Sequence, residues 1–277
     1  MRGQVMDFSR YGGSNRAKLK PARCLARSLV MLLGGWFGGV LPAWAANPGY
    51  DRPGYGFTPV VLAAGEMTIE QGLPDWSYDR HDGVASSQYN ADSLLRLGIG
   101  GPVELQLGSS PWNYLRQNAD GIHSRSHGHG DTRLGLKLAL PSSSKVFSWG
   151  LLGSVEFTDG AKNFRSDRRQ YLLGAQFNLQ ANQRHSLGAY LEEVRSGGRD
   201  SSTLAFSDNY TLTRTLTLYA EAALLHSTGQ ASGTVAGAGL AWMVSPRVQV
   251  DAGFDHHLSG TAVAWQGNLG VAVYLGH

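Results

Sequence analysis

From about residue 65 to the end of this chain, apolar side chains return at every second position, one ribbon after another. In Trp149-Gly150-Leu151-Leu152-Gly153-Ser154-Val155-Glu156-Phe157-Thr158, one face carries Trp149, Leu151, Val155 and Phe157. The other carries Gly150, Ser154, Glu156 and Thr158, with Leu152 as the exception. Successive side chains of a β-strand point to opposite faces, so this period fits strands with one greasy and one wet face and is wrong for helices. The segments around Tyr171 to Gln180, Arg247 to Asp255 and Trp265 to Leu275 repeat the pattern.

Twelve such ribbons are predicted, at about 66–75, 87–99, 102–114, 130–140, 147–158, 168–180, 184–195, 201–213, 215–227, 233–244, 247–258 and 262–275. Connectors after the even-numbered ribbons are short, as at Gly100-Gly101 and Ser245-Pro246. Those after the odd-numbered ones are mostly longer and polar, as at Asp75 to Ser86, Leu115 to His129 and Asp159 to Asp167. An even strand count with short turns at one end and longer loops at the other is the layout of an antiparallel up-and-down transmembrane β-barrel. Hydrocarbon offers no hydrogen bonds, so an apolar-faced sheet survives there only if it closes and has no edge. The same periodicity would serve a soluble exported sandwich with its apolar faces turned inward; the alternating loop lengths favour the membrane barrel. Trp76, Trp112, Tyr114, Trp149, Tyr171, Tyr210, Trp242, Trp265 and Tyr274 lie near strand ends, where interfacial girdles form.

A membrane barrel must be exported, and the N-terminus reads as an export signal. Seven bases precede the apolar run Leu29 to Leu41, which ends in Pro42-Ala43-Trp44-Ala45, a small-x-small cleavage pattern. The expected organisation is a signal peptide at 1–45, a periplasmic tail or plug segment at 46–64 and an outer-membrane barrel at 65–277. Cleavage after Ala45 leaves 17 bases against 20 acids, a net charge of −3, so the excess of basic residues belongs to the signal and is no argument for nucleic acid. The single cysteine, Cys24, leaves with it, which excludes an internal disulfide. The segment 46–64 carries Pro48, Gly49, Pro53, Gly54 and Pro59 and is unsuited to a strand.

Three short stretches carry a family resemblance: Tyr89 to Gly100 (YNADSLLRLGIG), Val103 to Leu107 (VELQL) and Gly130 to Lys137 (GDTRLGLK). The chain from about Gly65 onward resembles the outer-membrane proteins named for the meta-pathway of phenol degradation, often labelled transporters. The resemblance implies an outer-membrane barrel and passage of small aromatic or hydrophobic solutes. The chain ends Val273-Tyr274-Leu275-Gly276-His277, without the terminal aromatic of many outer-membrane barrels, and Tyr274 is the nearest substitute.

With the apolar faces on lipid, the pore-lining candidates are Glu70, Arg96, Glu104, Arg133, Lys137, Glu156, Gln176, Tyr190, Glu192, Tyr219, Glu221, Arg247, Gln249 and Asp251. Twelve strands enclose less room than the sixteen or more of open porins, so the lumen should be narrow and crossed by pairs such as Arg96 or Arg133 with Glu104 or Glu156. Such a lumen is either a polar constriction that selects solutes or one filled by satisfied ion pairs. Other constellations are weak. His123, His127 and His129 have spacing for a transition metal, but in a Ser/Gly setting that reads better as a solvated loop. His257 and Ser259 share a strand face, as in outer-membrane lipid A deacylases, but no orienting carboxylate is assignable. Glu192 and Glu193 point to opposite faces and cannot act on one substrate. The Gly233 to Gly239 run lacks the Lys of a phosphate loop. The expected function is an outer-membrane channel or transporter without cofactor or catalytic residues, dealing with lipid, small solutes, the barrel-assembly machinery and periplasmic chaperones. The alternatives are a lipid-modifying barrel enzyme and a structural or adhesive barrel.

Overall fold

The structure, a computed structural model, describes residues 49–276. The signal expected at 1–45 lies outside them, as does part of the tail. Sixteen strand segments follow one another: β1 (Met67–Gly72), β2 (Asp75–His81), β3 (Val84–Asn90), β4 (Ser93–Gly100), β5 (Val103–Ser109), β6 (Asn113–Ala119), β7 (Ile122–Gly128) and β8 (Thr132–Leu140). They continue with β9 (Phe147–Glu156), β10 (Gln170–Gln180), β11 (His185–Arg195), β12 (Ser201–Thr211), β13 (Leu216–Ser227), β14 (Gly233–Ser245), β15 (Val248–Ser259) and β16 (Trp265–Leu275).

The sixteen segments make twelve strands. The pairs β1/β2, β3/β4, β5/β6 and β7/β8 are each one strand interrupted by two or three residues. The ladder carries on across the breaks, with Leu73 N donating to Leu269 O, Ala91 N to Trp112 O and Gly130 N to Ser110 O. The sheet runs β1-β4-β5-β8 and then in order to β16, and β16 pairs back onto β1 from Met67↔Leu275 to Gly72↔Gly270. Every neighbour is antiparallel, and the circle closes without an edge, as hydrocarbon requires.

The alternation decides which face meets lipid. Leu191, Phe206 and Leu173 stand 48, 56 and 62% exposed on the outside, whereas Glu70, Arg96, Glu104 and Lys137 on the opposite faces are fully buried. Phe147, Trp149 and Phe177 stack in a row at the short-turn end, the place of an interfacial girdle. Two of the girdle candidates face inward instead. Tyr274 is buried and donates its hydroxyl to Glu66, and Trp76 lines an internal cavity with its Nε1–H on Ser87 Oγ. Both fall on the polar parity of their strands, which overrides their position near a strand end.

The first two long loops are corrected by the structure. The stretches expected as loops at 75–86 and 115–129 are hairpins, β2–β3 and β6–β7, turning at Asp82-Gly83 and Asp120-Gly121. All four turn residues have positive φ, 48° and 78° at the first and 49° and 79° at the second, the type I′ conformation that Asp-Gly favours. The four strands thereby rise beyond the rest of the wall as an extension, β2-β3-β6-β7, joined to the barrel through β16. Its outer strand β7 pairs with β6 alone and is steadied by the 157–169 loop, where Asn163 Nδ2 donates to Ser126 Oγ at 2.8 Å. His123 and His127 are exposed on β7 and His129 lies at the break after it. Among the described residues no three His, Cys, Asp or Glu side chains converge on a metal position.

Candidate functional site

The lumen is occupied. Residues 50–62, too rich in proline and glycine to pair as a strand, run through the barrel, and side chains of the wall satisfy their backbone. Asp51 N and Arg52 N donate to the two oxygens of Glu70 at 3.0 and 2.9 Å, Tyr55 N to Glu221 Oε2 at 2.7 Å, and Leu62 N to Glu104 Oε2 at 3.1 Å. Buried backbone donors are rarely left unpaired, and here carboxylates supply what a ladder would otherwise give. Glycines in the wall make the room: a Cβ on Gly98 would lie 2.5 Å from Leu62 O, and one on Gly270 would strike the Arg52 guanidinium.

Two ionic anchors hold this segment. At the first, Arg96 Nε and Nη2 donate to the two oxygens of Glu104 at 2.8 and 3.0 Å, and Nη1 donates to Glu70 at 2.9 Å and to Gly49 O. Lys137 Nζ bridges Glu104 and Asp51 at 3.0 and 3.1 Å, and Gln106 Nε2 completes Asp51 Oδ2 at 2.8 Å. Burial alone would raise the Asp51 carboxyl, but the Arg96 guanidinium and Lys137 ammonium outweigh it and hold it below the usual carboxylate range. At the second anchor Arg52 donates from both Nη atoms to Asp75, at 3.1 and 3.0 Å, and from Nη2 to Asp251 at 3.2 Å, while Gln249 Nε2 donates to Arg52 O. Each anchor leaves acid in excess.

Another part of the lumen holds an apolar patch. Phe57 reaches from the segment into a cluster of Leu152, Tyr190, Ala205, Ala223, Val235 and Ala262, with Tyr55, Leu172 and Leu225 around it. Its ring meets Tyr190 edge to face, centroids 5.9 Å apart, and Lys137 Nζ lies 5.9 Å from its centre. Phe57 thus marks the border between the charged and the dry side. Leu152, the exception to its strand's alternation, belongs to this dry side.

The inward residues expected from the sequence fall in distinct places. Glu70, Arg96, Glu104 and Lys137 meet at the first anchor, and Asp251 at the second. Gln176, Gln249 and Glu221 bond the segment, Tyr190 donates its hydroxyl to Glu192, and Tyr219 is buried beside Gly253. Arg133 and Glu156 oppose each other across β8 and β9, half-buried and apart from the anchors. Arg247 departs from the expectation: it is exposed in the turn before β15, and its carbonyl, not its guanidinium, takes part, accepting from the Tyr50 hydroxyl at 2.9 Å. A period-two count carried one residue past the strand end counts a turn residue as a wall residue. His257 and Ser259 do not bond each other; His257 Nε2 contacts Gly260 O and Ser259 Oγ contacts Thr234 Oγ1.

Asp51, Arg52, Tyr55 and Phe57 are not legible as site residues in the sequence, because their Pro/Gly stretch has no alternation to point them inward. The signal available was their charge and aromaticity in a Pro/Gly stretch followed by a wall with more buried acid than base.

Among solved structures, the COG4313 outer membrane channel from Pseudomonas putida F1 superimposes with a TM-score of 0.61 at 11% identity, over 78% of this chain and 97% of the other. A KdgM porin gives 0.51 at 12% identity, over 76% and 99%, and the same porin with disordered oligogalacturonate gives 0.52. These likenesses are of fold, and they place the chain among outer-membrane barrels. No curated protein sequence matches. Residues 50–275, from the first anchor to the last strand, match a single family throughout, and the chain belongs to the family described as "Putative MetA-pathway of phenol degradation".

Proposed function

We propose that the barrel is an outer-membrane channel for small solutes, including aromatic ones, whose lumen is closed by residues 50–62 and opens when that segment shifts. The observation that carries this reading is the way the segment is held. No strand pairing fixes it; two ion clusters and a few hydrogen bonds do, and beside it lies a dry patch at Phe57. Such contacts can break and re-form without disturbing the wall, whose ladder is complete without them. The apolar patch suits a planar hydrophobic solute, and the family's description, which names phenol degradation, agrees with that class. In this reading Glu70, Arg96, Glu104, Lys137 and Asp251 line the path once the segment has moved, and delivery to the membrane relies on periplasmic chaperones and the barrel-assembly machinery.

Planar-bilayer recording of the refolded chain tests the proposal. The wild type should show brief or small openings, and deletion of residues 46–62 should give steady, larger ones that phenol reduces. A deletion variant that is folded and heat-modifiable yet silent would overturn the channel reading.

A further inference from the structure

We infer that the lumen contains a binding site for one small monovalent cation, in the cavity between the Arg52 to Tyr55 stretch and the inner faces of β2, β13, β15 and β16. The cavity measures about 70 Å³, and Asp75, Trp76, Glu221, Asp255 and Asn268 contribute to its lining. That is room for a bare or singly hydrated alkali ion or a methylammonium group. Among the described residues its cationic side chain is Arg52, which is already committed to Asp75 and Asp251.

The carboxylate that calls for a counter-charge is Asp255. It is 7% exposed, its Oδ1 has no hydrogen-bond partner, and among the described residues no Lys or Arg pairs with it. Glu221, also buried, accepts one backbone hydrogen bond from Tyr55 and has no basic partner among the described residues. Asn268 also lines the cavity, with the Tyr219 hydroxyl beside it. Ionised carboxylates out of water are strongly disfavoured unless a positive charge or donors meet them. A small cation in the cavity would meet both carboxylates, and the aromatic Trp76 is part of the same lining. No three ligating carboxylates or imidazoles converge among the described residues, so the arrangement suits a singly charged ion that keeps a water or its own N–H donors, not a chelated divalent metal.

The site does not depend on the barrel conducting, and its test needs no current. The mature chain, refolded in detergent, is melted at constant ionic strength in N-methylglucamine chloride, whose cation is too large for the cavity, and then in potassium chloride and in methylammonium chloride. A saturable rise of roughly 2–4 °C is expected in at least one of the small cations. Potassium alone would mark an inorganic site, methylammonium alone an ammonium site, and both a site that selects by size and charge. Asp255→Asn should start from a higher midpoint, because it removes an uncompensated charge, and should lose the cation response. Glu221→Gln should weaken it, and either variant, shown folded by heat-modifiable migration, serves as the control. Equal midpoints of the wild type in all three salts, or an undiminished response in the folded variants, would overturn the inference.

Discussion

Arg96 is the side chain on which the charged half of the lumen depends, because among the described residues it alone touches Glu70, Glu104 and Asp51. Replacing it with Met leaves three buried carboxylates with Lys137 as their cation, and removal of one partner from a buried pair costs about 3–5 kcal/mol. We expect Arg96→Met to lose stability of that order in urea unfolding of the detergent-folded barrel, and Lys137→Met to lose less. Asp51 gives the pH dependence. Its carboxyl is held below the ordinary value, so its contribution is fully present above ~4 and is lost as pH falls through the lower folded value. The part of the closure that depends on Asp51 should therefore hold from neutral pH down to about 5 and weaken only in stronger acid, and Asp51→Asn should loosen the segment at neutral pH. An inward-pointing Arg96, with Glu104 or Glu156 as its acid, is legible in the sequence, since all three fall on the wet parity of their ribbons. Its partner Asp51 is not, because a Pro/Gly segment has no period to say where a side chain points.

At the scale of elements, period two identified all twelve strands, and its errors lie where a turn was judged by length instead of by its residues. The His-containing stretch reads as a loop because Ser, Gly and His carry no apolar alternation, yet β7 forms there because Asp120-Gly121 sets the register and β6 supplies the ladder. An apolar alternation is needed only where lipid lies outside; a strand standing above the membrane can be polar on both faces. Replacing Gly121 with Val should strain the positive φ and fray the hairpin tip, measured as faster amide exchange in 113–128, while barrel stability stays within about 0.5 kcal/mol. Leu191→Arg, by contrast, puts a charge on the lipid face in the middle of β11 and should cost about 2–4 kcal/mol in folding into bilayers.

For the whole molecule, the wall and its contents are separate constructions: a closed ladder that needs no filling to be continuous, and a tethered segment that needs the wall to be folded at all. Removal of residues 46–62 should accordingly leave heat-modifiable migration intact while exposing the excess acids of the lumen, read as a reversal potential shifted toward cations in a salt gradient. The extension β2-β3-β6-β7 adds a consequence of its own. β2 is level with β16 through residues 76–78 and β3, β6 and β7 pair on beyond it, so the wall is higher along these four strands than along the other eight. The mouth is consequently a scoop with a back wall and not a level ring. The low side of the mouth is the rim of β9 to β15, so a molecule arriving at that end meets an uneven opening, and its approach acquires a compass bearing that a symmetric barrel would lack.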